Sequence, residues 1–411
     1  MNFFIELREG LSIAWDAIRA NKMRSILTTL GIIIGIVTVT CMATAIDALN
    51  RALHDSLSVM GSDVLFVSKF NWVNTSDEEY WKEWKRKDIT RAQTREVERL
   101  MPAKAVAPVV YTHQNIRYKN QMARRVQVIG STDQLILTSS LSMEEGRFIT
   151  PAEADGGRPV CVLGFDVWTN LFHQQPAIGE KITVGARKLE VIGVTAKRGS
   201  FLGMDSFDNE IIIPVQQFLI GYTRNPNFDI NVKVSDAAKL DDWKEELHGV
   251  VRKIRHLAPG DADDFEINQQ DQLVQFFNRI TGTIAAVGLL ITGMSLFVGG
   301  IGIMNIMFVS VAERTREIGI RKAIGARNIA IMTQFLIEAA AICMIGGVAG
   351  MAITYGLTVL VSHVWSYFPI SMSLPVLALA IVMSIITGVI SGFLPAWRAA
   401  KMDPVEALRN E

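Results

Sequence analysis

The sequence predicts a membrane protein with four transmembrane α-helices and a large α/β extracytoplasmic domain between the first and second. Three observations carry that expectation. Four apolar runs, residues 26–45, 280–311, 329–361 and 375–394, each reach or exceed the ~20 residues that cross ~30 Å of hydrocarbon. Lys and Arg gather at alternate ends of these runs. The long segment between the first two runs mixes strand and helix patterns and has no apolar stretch of that length.

Composition narrows the function classes. The 411 residues carry 41 basic and 41 acidic side chains, so no charge excess draws the chain to nucleic acid. Cys41 and Cys343 fall inside apolar runs and Cys161 stands alone in the polar part, which leaves that part without an intrachain disulfide. No Cys–His group has metal-ligand spacing, and the sequence holds neither G-x-S-x-G nor H-E-x-x-H. No catalytic residue, metal site or cofactor is therefore expected on this chain.

Taken in order, residues 1–24 are expected to form an amphipathic helix on the cytoplasmic membrane surface. Phe4, Leu7, Leu11, Trp15 and Ile18 recur at helical spacing among Glu6, Arg8, Asp16 and Arg19, the pattern of a helix lying in the interface. Ala43-Thr44-Ala45 has the look of a signal cleavage site, but the leader and the apolar run are both longer than in a signal peptide. Residues 25–46 are read as the first span. Residues 47–278 form the outer domain, with strand patterns at 64–67, 125–129, 160–163, 189–194, 210–213 and 229–234 and helical ones at 91–101 and 238–257. Two subdomains are expected, a strand-rich one at about 116–222 inserted into the rest.

Residues 279–311 form the second span with a stalk, since roughly thirty residues, ~45 Å of helix, exceed what a bilayer needs. Its lead-in, with Gln269, Gln270, Asp271, Gln272 and Gln275, is polar but has no turn signal, so helix continues through it. A charged segment (312–328), a third span (329–361), a short loop (362–374), a fourth span (375–394) and a tail (395–411) complete the chain.

Basic residues set the orientation. Arg19, Lys22 and Arg24 precede the first span, Arg314, Arg316, Arg321, Lys322 and Arg327 lie between the second and third, and Arg398, Lys401 and Arg409 follow the fourth. Both termini and the 312–328 segment are thereby expected in the cytoplasm, with the outer domain on the far side.

Inside the spans, Glu338 is the one ionisable residue and Asn305 its polar companion. That is too little for an ion route, and Glu338 reads as a carboxylate bonded to a neighbouring helix. Small residues recur four apart at Gly31 and Gly35, Ser295 and Gly299, Gly346 and Gly350, and Gly388 and Gly392, where backbones can approach closely. Packing within one chain and packing in a dimer would both use them. In the outer domain Trp72, Tyr80, Trp81 and Trp84 stand among charged residues; an exposed partner-binding face and an amphipathic helix with inward tryptophans both fit.

The segment after the second span changes character abruptly, reading ERTREIGIRKAIGAR from Glu313. Glu317 and Arg321 lie four apart in the favourable order, and Gly319 and Gly325 are expected as caps or turns. A positive-inside anchor would explain the basic residues but not Glu313, Glu317 or the apolar Ile318, Ile320 and Ile324. Mixed charge around an apolar ridge suits a protein docking surface. Glu313, Arg314, Thr315, Arg316, Glu317, Ile318, Gly319, Arg321, Lys322 and Gly325 are assigned to it.

These residues also carry a resemblance. Gly302-Ile303-Met304-Asn305-Ile306-Met307, Val309-Ser310-Val311 and Glu313 to Arg321, with Ala323 and Gly325-Ala326, resemble the signature of MacB/FtsX-type (type VII, mechanotransmission) ABC transporter permeases. Arg19 to Ser25, with Leu30-Gly31-Ile32-Ile33-Ile34-Gly35, is similar to the MacB branch, as are Glu145-Gly146-Arg147-Phe148, Val162-Leu163-Gly164, Val191-Ile192-Gly193-Val194 and Ile213-Pro214 in the outer domain. Pro395 to Ala400 and Asp403 to Arg409 match the family's closing motif.

The resemblance implies Porter-like and Sabre-like outer subdomains in a bacterial inner-membrane protein whose outer domain is periplasmic. It implies a second permease chain, identical or related, and a coupling segment seated on an ATPase that holds ATP and Mg. It also implies a periplasmic adaptor and an outer-membrane channel as partners beside membrane lipid. No G-x-x-x-x-G-K-[ST] phosphate loop occurs in the sequence, so the ATPase is expected on a separate polypeptide. MacB-like export is the leading expectation. Lol-like lipoprotein extraction, FtsX-like control of cell-wall hydrolases and a receptor or scaffold that uses no ATP stand as alternatives.

Overall fold

The computed structural model describes residues 22–59, 61–73, 76–202, 205–364 and 371–409. The surface helix expected over residues 1–24 lies outside them, apart from 22–24, which open the first spanning helix. The chain divides into two compact units, Met1–Asn50 with Ile280–Glu411, and Arg51–Arg279.

Four long helices, Lys22–Ser58, Gln270–Glu313, Asn328–Val364 and Leu374–Lys401, are each long and apolar enough to cross a membrane. The first outruns its expected end at residue 46. Asp47, Asn50, Arg51, His54 and Asp55 follow the apolar run with neither Gly nor Pro among them, so nothing halts the helix there. The second is one helix of 44 residues that takes in the polar lead-in, as expected. The fourth continues through Pro395 to Lys401, so residues 395–401 are helix and not tail. Proline forfeits one N–H bond in a helix interior, and Ser391 and Gly392 leave a small-residue turn beneath its ring. A closing helix, Pro404–Arg409, follows. Asp403 caps it by accepting from the Val405 N–H at 2.8 Å, and Pro404 takes the first helical position, where a missing N–H costs nothing.

Small residues set how the spans meet. A Cβ placed on Gly31 would stand 2.9 Å from Gly299 Cα, and one on Gly35 would stand 2.7 Å from Leu296 Cδ2, so the first and second spans touch backbone to backbone. Gly388 and Gly392 do the same against Ala340 and Ala339 of the third span, at 2.7 and 2.5 Å. Gly350 faces Ile36, and beside it Thr40 and Thr354 share a buried hydroxyl hydrogen bond of 2.7 Å. The pairs that the sequence left open between one chain and two are thus used inside one chain at Gly31, Gly35, Gly299, Gly350, Gly388 and Gly392. Gly346 is buried in the third span and Ser295 is half-buried in the second.

The outer unit is organised by β-strands β1 (Val64–Ser68), β2 (Ala105–Tyr118), β3 (Gln121–Ser131), β4 (Met143–Gly146), β5 (Val160–Leu163), β6 (Lys181–Val184), β7 (Arg187–Thr195), β8 (Ser200–Phe201), β9 (Asp205–Ser206), β10 (Glu210–Pro214), β11 (Asp229–Lys233) and β12 (Glu266–Asn268). Ten of them form a sheet in the order β12-β1-β11-β2-β3-β10-β5-β7-β4, with β6 set against β2 and β7. The 14-residue β2 joins its two halves, because residues 105–109 pair with β11 and residues from Val110 onward pair with β3. The passage into the strand-rich half therefore falls inside one strand, with no linker. Helices Arg91–Leu100 and Leu240–Ile254 accompany the first half, and Leu65, Val97, Phe218, Phe228, Leu247 and Phe265 share a core that runs through both halves. Hairpin β8–β9 holds the end of the first spanning helix, since the Leu202 N–H donates to Ser56 Oγ at 2.9 Å.

Candidate coupling site

The helix that ends at Glu313 breaks at Arg314 (φ −104°, ψ 15°) and resumes as Thr315–Ala323. The break is capped locally: Thr315 Oγ1 donates to the carbonyls of Ala312 and Val311, at 2.8 and 3.2 Å. At the far end the Gly325 N–H donates to Lys322 O and the Ala326 N–H to Arg321 O, each at 3.0 Å, while Gly325 adopts φ +100°. That pattern is a Schellman close, which needs a left-handed residue and so favours glycine. Gly325 is a turn, as expected. Gly319 is not: it is buried in the middle of the helix beside Ile318.

Three contacts fix this short helix to the spans. Ile318 is buried in a cluster with Ile303, Met307, Val311, Ile331 and Phe335. Lys322 Nζ donates to Met402 O at 2.7 Å, which ties the helix to the end of the fourth span. Arg314 Nη1 donates to Glu338 Oε2 at 3.3 Å, and Glu338 lies in the third span with 3% of its side chain exposed. The carboxylate expected to bond a neighbouring helix meets Arg314 instead, the residue at the break between two helices.

The remaining residues face outward. Glu313, Arg316, Glu317, Ile320, Arg321 and Ile324 are all exposed, Ile324 at 82%, and their spacing of three and four puts Arg316 to Ile324 on one face. Glu317 and Arg321 pair along that face, and Arg321 also donates to Gln334 Oε1. The expected set thus separates by role. Arg314, Thr315, Ile318, Gly319, Lys322 and Gly325 build and hold the helix; Glu313, Arg316, Glu317 and Arg321 surround an apolar ridge that Ile320 and Ile324 form without Ile318. The holding contact at Met402 O carries no motif, because a backbone carbonyl looks like any other in sequence.

Asn305 differs from Glu338: it is exposed on the second span and its side chain makes no hydrogen bond among the described residues. In the outer unit the aromatic segment divides as well. Trp72 is half-buried, its ring 4.8 Å from that of Phe66, and its backbone N–H donates to Asn268 Oδ1 at 3.0 Å, so it belongs to the fold and not to a free face. Helix Asp77–Trp84 is capped by Ser76 and buries Glu83, which accepts from the Asn71 N–H. Its aromatics turn outward instead: Tyr80, Trp81 and Trp84 form an edge-to-face row with centroids 6.2 and 6.1 Å apart, the two tryptophans 58% and 57% exposed.

Comparison with known families matches residues 25–250 to the MacB-like periplasmic core domain and residues 289–404 to the FtsX-like permease C-terminal domain. The chain belongs to the MacB/FtsX-type ABC transporter permeases. It is 32% identical over 410 residues to YknZ of Bacillus subtilis, an uncharacterized ABC transporter permease, covering 99% of this chain and 100% of that one. It is 31% identical over 406 residues to the macrolide export ATP-binding/permease protein MacB 1 of Yersinia pestis, covering 98% of this chain and 61% of that protein. It is 30% identical over 411 residues to the pyoverdine export ATP-binding/permease protein PvdT of Pseudomonas syringae, covering 99% and 60%. The chain therefore spans about three-fifths of the length of these two ATP-binding/permease relatives. As a permease of this family it is a multi-pass membrane protein with an extracytoplasmic domain between its first and second spans.

Proposed function

We propose that this chain is the membrane subunit of a MacB-like ABC exporter, and that the helix Thr315–Ala323 receives the motion of an ATP-hydrolysing subunit carried on a separate polypeptide. The observation that carries the reading is the exposed ridge of Ile320 and Ile324, ringed by Glu313, Arg316, Glu317 and Arg321, on a helix whose inner side is fixed by Arg314–Glu338 and Lys322–Met402. Such a surface can dock a partner through apolar burial with charges to set register, and its anchors reach the third and fourth spans. The similarity to YknZ, named as a permease, supports a membrane-subunit reading. In this reading ATP and Mg bind the partner, both termini are cytoplasmic, and motion passes along the second span to the outer domain in the periplasm.

The relatives are named for cargoes as unlike as macrolides and pyoverdine, so the substrate is left at the level of an exported molecule. An adaptor leading to an outer-membrane channel completes the reading, and the outward row of Tyr80, Trp81 and Trp84 supports a protein contact on the outer domain. The test is a mild-detergent purification of the chain from its host, with mass spectrometry and ATP hydrolysis on the eluate. Recovery of an ATP-binding subunit with vanadate-sensitive activity is the expected result. Recovery without any ATPase, repeated after gentle crosslinking, overturns it.

A further inference from the structure

The fourth spanning helix keeps one exposed stripe to its end. Ile386, Ile390, Phe393 and Trp397 are exposed, their steps of three and four align them, and the next step along the same line reaches the exposed Lys401. The stripe is apolar at first, aromatic next and cationic last. Trp397, Arg398 and Lys401 stand three, four and seven residues beyond Leu394, where the apolar run ends. That is roughly 5–10 Å of helix, the depth of the lipid headgroups.

Each cation is placed on a ring. Lys401 Nζ lies 4.3 Å from the centre of the Trp397 ring, and the Arg398 guanidinium lies 5.1 Å from that of Phe308 on the second span. About two turns earlier the same two spans touch, since a Cβ on Gly300 would stand 2.6 Å from Ser391 Oγ, so Arg398 bridges neighbouring helices. Neither cation has a carboxylate partner among the described residues. Yet the two are three apart on one helix face, a spacing that makes them neighbours and sets like charge beside like charge. Asp403, the next acid along the chain, accepts from the Val405 N–H. The dipole at the end of the helix accounts for cations in its last turn, but not for a ring under each of them. What is missing is an anion, at a depth where membranes supply phosphodiesters.

We infer that the ends of the second and fourth spans seat the phosphate of an anionic phospholipid, from the leaflet that the reading above makes cytoplasmic. Arg398 and Lys401 hold the phosphate, Trp397 lies beside the glycerol, and an acyl chain runs along Phe393, Ile390 and Ile386. The arginine fork matches phosphate oxygens, and basic residues beside a spanning helix draw anionic lipid. The seat adjoins the helix Thr315–Ala323, because Lys401 precedes Met402, whose carbonyl accepts from Lys322. The inference stands whether or not that helix meets an ATPase.

The experiment uses the full chain, purified in mild detergent and stripped of lipid, then titrated with phosphatidylglycerol or phosphatidylcholine while bound lipid is counted by native mass spectrometry. The parent should hold phosphatidylglycerol at least about tenfold better. Arg398→Gln and Lys401→Gln should each weaken that binding roughly fivefold, the worth of one cation beside an anionic surface, and should leave phosphatidylcholine unchanged. Arg398→Lys should keep part of the preference. Arg327→Gln, which removes an exposed cation just before the third span, should change neither lipid. Phosphatidylglycerol should raise the melting temperature of the parent but not of Arg398→Gln/Lys401→Gln, which separates lost binding from lost folding. Equal retention of both lipids by the parent, an equal loss in Arg327→Gln, or unchanged phosphatidylglycerol binding in the double variant would each overturn the inference. Displacement of the lipid by inorganic phosphate at a similar concentration would also overturn it, in favour of a free anion. Unchanged lipid binding with lost recovery of an ATPase in the double variant would give this surface to a protein partner instead.

Discussion

Arg198 and Glu210 of the outer domain and Arg314 and Glu338 of the spanning unit are both arginine–carboxylate pairs with a buried carboxylate, yet they are held very differently. Around Arg198 every neighbour closes inward: its guanidinium donates to Glu210 and to the Phe207 carbonyl, while Asp208 accepts from the backbone N–H groups of Arg198 and Gly199 at 2.8 and 2.9 Å. The result is a local staple whose two ends are twelve positions apart in sequence. Arg314 reaches across 24 residues to another helix through one hydrogen bond and remains partly exposed at the break between two helices. A pair enclosed on all sides fixes a shape. A pair with one bond, bridging a kink and a span, can transmit a displacement or release it.

The sharpest way to break the contrast is to remove one partner. Arg314→Met leaves the Glu338 carboxylate buried without its cation, a change that costs about 3–5 kcal/mol where a buried pair is broken. The permease should lose thermal stability heavily in detergent. The double variant Arg314→Met/Glu338→Met should recover most of it, because replacing both partners by apolar groups is often neutral, yet export should stay lost if the pair transmits motion. A double variant that exports normally would reduce the pair to a structural prop.

Next in size are the close approaches between spans. Gly388→Ala puts a methyl group 2.7 Å from the Ala340 Cα, backbone that yields only if a helix shifts, and overpacking of this kind costs about 1–3 kcal/mol. A melting temperature equal to that of the parent would show that the third and fourth spans are looser than described.

In the outer domain pH separates two carboxylates. Burial, the leading cause, raises Glu210 from 4.5 to about 7 against the opposing pull of Arg198, and burial likewise raises Asp229 to about 7. Hydrogen bonding from Arg147 leads in lowering Glu153 to about 2. A raised carboxylate favours the folded state while protonated, so its contribution is full below about 4.5 and is lost as pH rises through about 7. Glu153 has the opposite sign: its contribution is full above about 4.5 and is lost as pH falls towards 2. Glu210→Gln should therefore flatten, though not abolish, the fall in stability between about pH 4.5 and 7, with Asp229 supplying the remainder. Denaturation of the full chain across that range reads it, and an unchanged slope would contradict the assignment to Glu210.

The smallest effect on stability and the most selective effect on function belong to Ile324→Asp. The side chain touches solvent, so folding should change by no more than about 0.5 kcal/mol, while ATPase association and export should fall at least about tenfold. Equal export would remove the ridge from the docking surface.

Much of this architecture is legible in the sequence because the signals are local. Apolar length gave four spans, though not where the first and fourth helices end, and the absence of a turn signal at Gln269 to Gln275 gave a continuous 44-residue helix. The strand from Ala105 to Tyr118 was not read, since Pro108 interrupts its alternation and proline argues against a strand inside a sheet. Gly319 was misread for a related reason: glycine marks either a turn or a close packing position, and only the surrounding spans decide which. The inward Arg314 and outward Arg316 look alike on paper. Their difference is set by Glu338, a residue 24 positions away, and by the break at Arg314 that redirects the helix face.

The most direct test places a photo-crosslinking amino acid at position 324, and separately at 318, of the full chain in its host membrane. The account predicts capture of a nucleotide-binding polypeptide from Ile324, sensitive to charge reversal at Glu317, and none from the buried Ile318. Capture of no nucleotide-binding protein at position 324, or equal capture at both, would contradict the claim that this helix is where ATP hydrolysis meets the membrane.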